Sequence, residues 1–434
     1  MRRKGRYAAA LSVLALAGAA AIASGSGSAQ TTGPSGKVVF WEFSSDAPSV
    51  AAWKATIKAF EKKYPAIKVD FQLVPWSEQS QKLATAIATH SEPDVSMMGN
   101  DVVAQYAFAG QLLPLDSYIK QWSKEEGFDV TKDYWPGDKL YYRLNGHYYG
   151  SPVAEETRML LYNKQILSQA GVDPSTLTTW NNVLAAAKQI KAKVPGVTPW
   201  LLPESKDYPT LQDFMTLYLS YGARMLDSRG ACGFNTPQFK SALKFYTDVY
   251  KNGLTDPDET TRFQTDNDAA FATGKAGLYI EGPWMFAALK GKPLYNQIGI
   301  VPIPAGPKGR FGFLGGWPLV LWKGGKNNAA AATWVHFASS PQGGLKTIIK
   351  VSGVLPGRKS LVKQAPWNKF PLSSYRTQMN YAYPYQYPHQ EIPQMGAIET
   401  ETIQNAVQRV ATGSQTVDES TTQLCSEINK FLKK

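Results

Sequence analysis

The sequence predicts an α/β protein built as two lobes. Its 434 residues are more than one hydrophobic core usually holds. A hydrophobic fraction of 43% and a charged fraction of 18% are typical of a folded globular chain. Between residues 37 and 99, strand-like and helix-like segments alternate, which indicates a parallel sheet joined by helical crossovers.

The first elements are the clearest. The segment 37–43 (KVVFWEF) is a short apolar run typical of a buried strand. Apolar residues then recur at helical spacing until Pro65 ends the pattern. Val69, Phe71 and Leu73 alternate in a second strand (68–74), a helix runs through Leu83 and Ile87, and a third strand follows at 93–99.

The rest of the chain is mostly helical. Helices are predicted at 180–193, 211–221, 237–252, 326–338 and 392–411, with cap-like starts at Thr178 and Asn235. Short strands are predicted at 158–163 and 276–282, and a loop with a short strand at 301–317.

Polar side chains follow each of the first three strands. They are Ser44 to Asp46, then Trp76 and Glu78, then Asn100 and Asp101. Because ligands bind beyond the carboxyl ends of parallel strands, these loops are candidate binding loops. The alternative is that Asp46 caps the next helix and Trp76 packs in the core.

Aromatic residues suggest what such a site binds. The chain has 12 Trp and 22 Tyr, and several stand beside Gly or Pro rather than in a helix stripe, in GPW (282–284), GGWP (315–318) and YAYPYQYP (381–388). A sugar needs rings for its C–H faces and carboxylates, amides or Arg for its hydroxyls. The alternative to sugar binding is that each Trp packs in the core. For the Tyr run, the alternative is a loop on the protein surface.

Other classes of function have little support. The net charge is +12, but the basic residues are scattered and no basic run interleaves with aromatics, so nucleic-acid binding is not expected. The four His residues have no metal-ligand spacing, and no nucleophile elbow or phosphate loop occurs, so we expect no cofactor and no metal. A secreted glycoside-acting enzyme stays open, because it needs only two carboxylates placed in space.

Residues 1–29 have the basic, apolar and small-residue parts of a secretory signal peptide, with a mature start near Gln30. An uncleaved anchor is the alternative. We therefore expect an exported protein, periplasmic or extracellular and associated with the cell surface. Whether Cys232 and Cys425 form a disulfide is open, and no Cys near the cleavage site offers a lipid attachment point.

Several short sequence segments resemble those of the extracellular solute-binding proteins of bacterial ABC sugar importers, of the maltose/trehalose-binding type. They run in order along the chain: KVVFWEFSSD (37–46), AFEKKYPAIKV (59–69), PDVSMMGND (93–101), LLYNKQIL (160–167), AAFATGKAGLYIEGPW (269–284), GFLGGWPLVLW (312–322), ATWVHFASSPQG (332–343), GVLPGRKS (353–360), IPQM (392–395) and ATGSQTVDES (411–420).

The resemblance implies a two-lobed periplasmic-binding-protein-like fold of type II, with an interlobe cleft and hinge. It implies a first lobe of 37–145 plus 285–345 and a second lobe of 146–284 plus 346–434. The sugar-contacting residues that it implies, together with Trp76 and Tyr385 from the loops above, are Asp46, Asn100, Asp101, Glu156, Tyr208, Trp284, Gly316, Trp317 and Arg358.

The implied function is a receptor that is not an enzyme. It would capture a mono- or oligosaccharide between its lobes and deliver it, as a monomer, to an ABC permease. One departure concerns the run after IPQM, where maltose-binding members carry two large aromatics and this chain has GAIETE. That departure leaves the sugar open, and a receptor of the same fold for a non-sugar solute is the further alternative.

Overall fold

The fold is known from a computed structural model that describes residues 33–43, 47–75 and 78–433. The expected signal segment, Asp46 and Trp76 lie outside the described residues. Strands are numbered in chain order as β1 (Gly36–Glu42), β2 (Ile67–Leu73), β3 (Val95–Met97), β4 (Arg143–Leu144), β5 (His147–Tyr148), β6 (Ser151–Glu156), β7 (Met159–Asn163), β8 (Thr198–Leu201), β9 (Ala276–Glu281), β10 (Ile298–Val301), β11 (Gly312–Phe313), β12 (Gly315–Leu321), β13 (Leu355–Pro356) and β14 (Ala382–Tyr383).

Helices surround these strands. They are α1 (Ala47–Lys63), α2 (Gln79–Thr89), α3 (Val103–Phe108), α4 (Asp116–Glu126), α5 (Asp138–Tyr142), α6 (Lys164–Ala170), α7 (Trp180–Lys193), α8 (Tyr208–Tyr221), α9 (Pro237–Lys251), α10 (Gln264–Ala272), α11 (Trp284–Leu289), α12 (Asn328–Ser339), α13 (Leu345–Ser352), α14 (Leu372–Gln378), α15 (Met395–Glu401), α16 (Ile403–Ala411) and α17 (Val417–Leu432). Of the helices that the structure describes, none is both long and apolar enough to span a bilayer.

The molecule has two lobes, and a six-stranded sheet forms the centre of the first. Its strand order is β13-β6-β12-β3-β1-β2. Strand β1 is parallel to β2 and to β3, whereas β12 is antiparallel to both β3 and β6. The carboxyl ends of β1, β2, β3 and β6 therefore lie along one edge, and β12 begins at that same edge.

A four-stranded sheet forms the centre of the second lobe, in the order β10-β7-β9-β8. Strands β8 and β9 are parallel, and β7 is antiparallel to both β9 and β10. Because Met159 pairs with Glu281, β7 begins at the edge where β9 ends. Only Thr157 and Arg158 separate the end of β6 from the start of β7, so the carboxyl edges of the two sheets meet at this crossing.

Aromatic packing holds the first lobe together. Phe40 of β1 lies 5.0 Å from Trp53 and 5.6 Å from Trp334 between ring centroids, so helices α1 and α12 share one face of the sheet. These rings are at most 2% exposed. A second core lies around α7, α8 and α9, where Phe214 contacts both Phe239 and Tyr246.

The predicted alternation of strands and helices in 37–99 is confirmed, with ends shifted by a few residues. Predicted strands 158–163 and 276–282 and helices 180–193, 211–221, 237–252 and 326–338 are also present as β7, β9, α7, α8, α9 and α12. Strand β6, however, pairs in the first sheet, although its residues were expected in the second lobe. Strand β10 pairs in the second sheet, although its residues were expected in the first lobe. The lobe boundaries themselves stay a prediction.

Three local expectations need correction. The caps of α7 and α9 are Thr179 and Thr236, one residue later than predicted, because these side chains accept from the N–H of Asn182 and Phe239. The segment 392–411 is two helices instead of one. They meet at Thr402, whose φ of −121° and ψ of −59° leave helical geometry.

Cys232 and Cys425 form a disulfide, which resolves the question left open by the sequence. Their Cα atoms lie 5.3 Å apart although 193 residues separate them along the chain. The bond ties helix α17 to the loop that precedes α9.

Candidate ligand-binding site

Arg158 lies at the crossing between the two sheets and joins several predicted site residues. It is 3% exposed. One guanidinium nitrogen donates to the carboxylate of Glu156 at the end of β6, and another donates to Gln212 on α8. Its Nε lies 3.6 Å from Oε1 of Glu281 at the end of β9. Carboxylates from both sheets therefore share one cation.

The charges of this group depend on each other. Burial by itself would lower the pKa of Arg158, but Glu156, Glu281 and Asp213 raise it, so the guanidinium stays charged. Burial raises the pKa of Glu156 to about 7, with Glu281 adding to the rise and Arg158 opposing it. Glu156 thus titrates near neutral pH.

Trp284, at the start of α11, lies over the same guanidinium. The carbon of the Arg158 guanidinium is 4.4 Å from the centroid of the indole ring, a cation–π contact. The ring folds back over Gly282, where a Cβ would lie 2.1 Å from it. Gly282 is therefore required for this ring position. Trp284 is half-buried and keeps part of its surface accessible.

Asp101 and Asn100 lie at the carboxyl edge of the first sheet, in a short 3₁₀ turn (Asn100–Val102) directly after β3. The Asp101 carboxylate accepts from its own N–H and that of Val102. It is half-buried, and burial raises its pKa to about 6. Asn100 is buried, and its Nδ2 donates to the Leu314 carbonyl at 3.3 Å, which links this turn to the start of β12.

Tyr208 and Tyr385 contribute from the second lobe. Tyr208 is the first residue of α8 and is 39% exposed. Burial and then the charges of Asp101 and Glu399 raise its pKa. Tyr385 is 1% exposed and stacks on Phe313 with ring centroids 5.3 Å apart. Burial, and then the charges of Glu399, Asp101 and Tyr208, raise its pKa.

Gly316 and Trp317 lie at the start of β12, opposite Glu155 and Ala154 of β6. A Cβ at Gly316 would be 2.1 Å from Oε2 of Glu155, so this glycine leaves room for a neighbouring carboxylate. Trp317 is half-buried, and strand alternation puts it on the same face as Ala154 and Glu156.

The structure does not bring Arg358 together with the other predicted site residues. It is 2% exposed, and its guanidinium donates to Glu126 and to Asp133. His336 also contacts Glu126, at 3.0 Å. In this structure the donors of Arg358 are therefore used within the first lobe. Asp46 and Trp76 lie outside the described residues.

Several residues at this edge were not selected from the sequence. They are Arg158, Gln212, Asp213, Glu281, Glu391 and Glu399. For Arg158 a signal was available, because it follows Glu155 and Glu156 closely at the start of the predicted strand 158–163. The acidic residues of the C-terminal part offered no such pattern, since their approach to Asp101 depends on long-range folding. Among the described residues, no three His, Cys, Asp or Glu side chains are arranged to hold a metal ion.

Comparison with known proteins is consistent with this geometry. Residues 44–345 match the bacterial extracellular solute-binding protein family. The chain belongs to this family. The family and the relatives below are binding proteins, not enzymes.

This solute-binding protein is 30% identical over 275 residues to a binding protein of Brucella abortus, a match that covers 63% of this chain and spans 65% of that relative's length. It is 29% identical over 334 residues to the diacetylchitobiose binding protein DasA of Streptomyces coelicolor, covering 73% of this chain and 72% of DasA. It is similar in structure to an ABC-transporter solute-binding protein of Thermotoga lettingae solved with α-D-tagatose. That match has a TM-score of 0.79 and 25% identity, and it covers 92% of this chain and 100% of the other.

Proposed function

We propose that this solute-binding protein is a carbohydrate receptor, which captures a mono- or oligosaccharide between its two lobes and delivers it to the permease of an ABC transporter. The observation that carries the proposal is the convergence at the meeting edges of the two sheets. There, the Trp284 ring and the Glu156 carboxylate both contact the guanidinium of Arg158. Burial, and then nearby charges that include Asp101, raise the pKa of Tyr208 and of Tyr385.

This combination suits a sugar. The half-buried Trp284 and the partly exposed Tyr208 offer ring surface to C–H faces, and the carboxylates accept hydrogen bonds from hydroxyls. DasA is named for diacetylchitobiose, and the Thermotoga lettingae protein was solved with tagatose, so two similar proteins are described with sugars. Both observations support a sugar as the ligand.

The mechanism follows from the position of the site. Glu156 ends a strand of the first sheet and Asp101 follows another, whereas Tyr208 and Tyr385 come from the second lobe. A ligand that contacts both groups at once binds a closed arrangement more tightly than an open one, and this difference in affinity drives closure. The closed receptor is the form that the permease would recognise.

Export and state of assembly belong to the same proposal. Residues 1–29 act as a cleaved signal peptide, and the mature protein acts as a monomer outside the cytoplasmic membrane. N-terminal sequencing of the exported protein should find a start near Gln30, and sedimentation should give the mass of one chain.

The site assignment is tested by calorimetry with a panel of mono- and oligosaccharides. For the best ligand, Trp284→Ala should weaken binding by about tenfold or more, because a buried aromatic contact is worth 1–3 kcal/mol. Phe128→Ala is the control, since Phe128 is an exposed ring (41%) beside Arg358 and not beside Arg158. Equal affinity in Trp284→Ala and the wild type, with both folded, would exclude the assigned site.

A further inference from the structure

Four side chains from four different segments of the chain surround the guanidinium of Arg158. Glu156 ends β6 of the first sheet, and Glu281 ends β9 of the second. Gln212 lies on α8, and Trp284 begins α11. One guanidinium therefore joins the ends of strands from both sheets to two helices. Arg158 itself is 3% exposed, so almost none of its surface is left for contact with a ligand.

Two aromatic rings also contact this guanidinium. Its carbon lies 4.4 Å from the ring centroid of Trp284 and 5.6 Å from that of Phe313 in β11. Phe313 in turn stacks on Tyr385, with ring centroids 5.3 Å apart. Arg158 thus contacts one predicted sugar-binding ring directly and is connected to a second one, Tyr385, through Phe313.

This set of contacts depends on the shape of an arginine side chain. A guanidinium has five N–H donors in one plane, so its nitrogens can serve Glu156, Gln212 and Glu281 while its flat faces meet the rings. A lysine ammonium is a compact charge without a flat face. Glu156 and Glu281 are 5% and 1% exposed, so they also need a nearby cation when they are ionised.

We infer that Arg158 is a positioning residue of the sugar site, which holds the Glu156 carboxylate and the Trp284 ring in place without contacting the sugar. The inference rests on the proposed carbohydrate function and adds a residue on which that site depends. Glu156 offers an acceptor to the sugar and Trp284 offers a ring, and the shared guanidinium fixes the position of each relative to the other. Groups that are fixed before the ligand arrives lose less freedom on binding, so the affinity is higher.

Two substitutions of Arg158 test the inference by calorimetry, with the tightest-binding member of a panel of tagatose, diacetylchitobiose, maltose and glucose. Arg158→Met removes the charge and the flat face, so we expect binding to be at least about tenfold weaker. Arg158→Lys keeps the charge alone and should give a smaller loss. Arg224→Met is the matched control, because Arg224 also contacts two rings, Phe311 and Tyr387, but lies beyond the C-terminal end of α8. This control should bind sugar like the unaltered protein.

The pH dependence of sugar binding separates positioning from a general loss of structure. An ionised Glu156 accepts a sugar hydroxyl better than a protonated one, so the affinity of the unaltered protein should rise with pH through the Glu156 pKa of about 7. Burial raises this pKa, and Arg158 opposes the rise, whereas Glu281 adds to it. In Arg158→Met the rise in affinity should therefore move to higher pH, and in Arg158→Lys it should stay near its original pH. A folding defect lowers the amount of active protein but does not move this pH.

A double change shows whether Arg158 acts through the ring. Arg158→Met should weaken binding by a smaller factor in a Trp284→Ala protein than in the unaltered one, because the ring that it positions is already absent. Unchanged affinity in a folded Arg158→Met or Arg158→Lys protein overturns the inference and leaves the carbohydrate receptor intact. The same holds for equal factors in both backgrounds with an unshifted pH profile. If Arg158→Met does not fold, Arg158→Lys decides by the same criterion. If no sugar of the panel binds the unaltered protein, the carbohydrate function itself fails.

Discussion

Arg158 and Arg358 are both buried guanidinium groups, but their surroundings give them different roles. Arg158 lies between the two sheets, with Glu156 and Glu281 on either side and the ring of Trp284 above it. Arg358 lies within the first lobe, where Glu126 and Asp133 use its donors. Arg158 therefore joins carboxylates at the ends of strands from both sheets, whereas the ion-pair partners of Arg358 lie within the first lobe.

The buried carboxyls give a clear dependence of stability on pH. Burial raises the pKa of Asp101 to about 6, of Glu156 and Glu259 to about 7, and of Asp268 to about 8. In the unfolded chain the same groups titrate near 4. Between these limits the folded state binds more protons than the unfolded state, so the free energy of unfolding falls as pH rises from about 4 to about 8.

We therefore expect a larger free energy of unfolding in urea near pH 5.5 than near pH 8. Carboxyls with lowered pKa, such as Asp70 and Glu126, lose their stabilising effect only below this window. Asp268→Asn should reduce the difference between the two pH values. Asp173→Asn should not, because Asp173 is ionised throughout. Greater stability at pH 8 would show that these carboxyls are solvated or paired.

At the scale of elements, the disulfide is the strongest link that joins distant segments of the second lobe. It connects the loop at Cys232 to α17, and the Cys232 N–H also donates to Asn429 of that helix at 2.9 Å. Closing a loop of 193 residues reduces the entropy of the unfolded chain more than closing a short one.

The double change Cys232→Ser and Cys425→Ser should lower the free energy of unfolding by about 2–5 kcal/mol. Urea titration followed by Trp fluorescence measures this. Reduction of the wild-type protein with a thiol is the matched control, and it should give the same loss. Identical urea midpoints in the oxidised, reduced and serine forms would mean that the bond adds no stability.

Elements were predictable where local patterns decide them. The apolar run of β1, the helical spacing in α1 and the alternation in β2 all rest on neighbouring residues, and the structure has them within a few positions. Strand β6 was missed, because Ser151–Glu156 is paired on both sides and buried throughout, without an alternating pattern. The break at Thr402 was missed because the sequence there has neither Gly nor Pro.

The candidate site was predictable only in part, for a similar reason. Asp101 and Trp284 stand directly after strands, where a rule about sheet edges applies. Glu399 lies about 300 residues from Asp101 in sequence, and no local pattern indicates that the two approach. The packing of Arg358 against Glu126 likewise depends on which face of the first lobe residue 358 reaches.

For the whole molecule, we propose that one ligand contacts both lobes at the crossing between the sheets. The 3₁₀ turn Asn100–Val102 belongs to the first lobe, and the start of α8 at Tyr208 belongs to the second. Their shared electrostatic environment, in which Asp101 raises the pKa of Tyr208 after burial itself, is consistent with one site.

Amide hydrogen exchange with and without saturating sugar distinguishes capture between the lobes from binding to one lobe. We expect the backbone at 100–102, at 157–158 and at 208–212 to become protected together, because closure shields both lobes in one step. Protection confined to the segments of one lobe, with the other lobe unchanged at saturation, would contradict capture between the lobes.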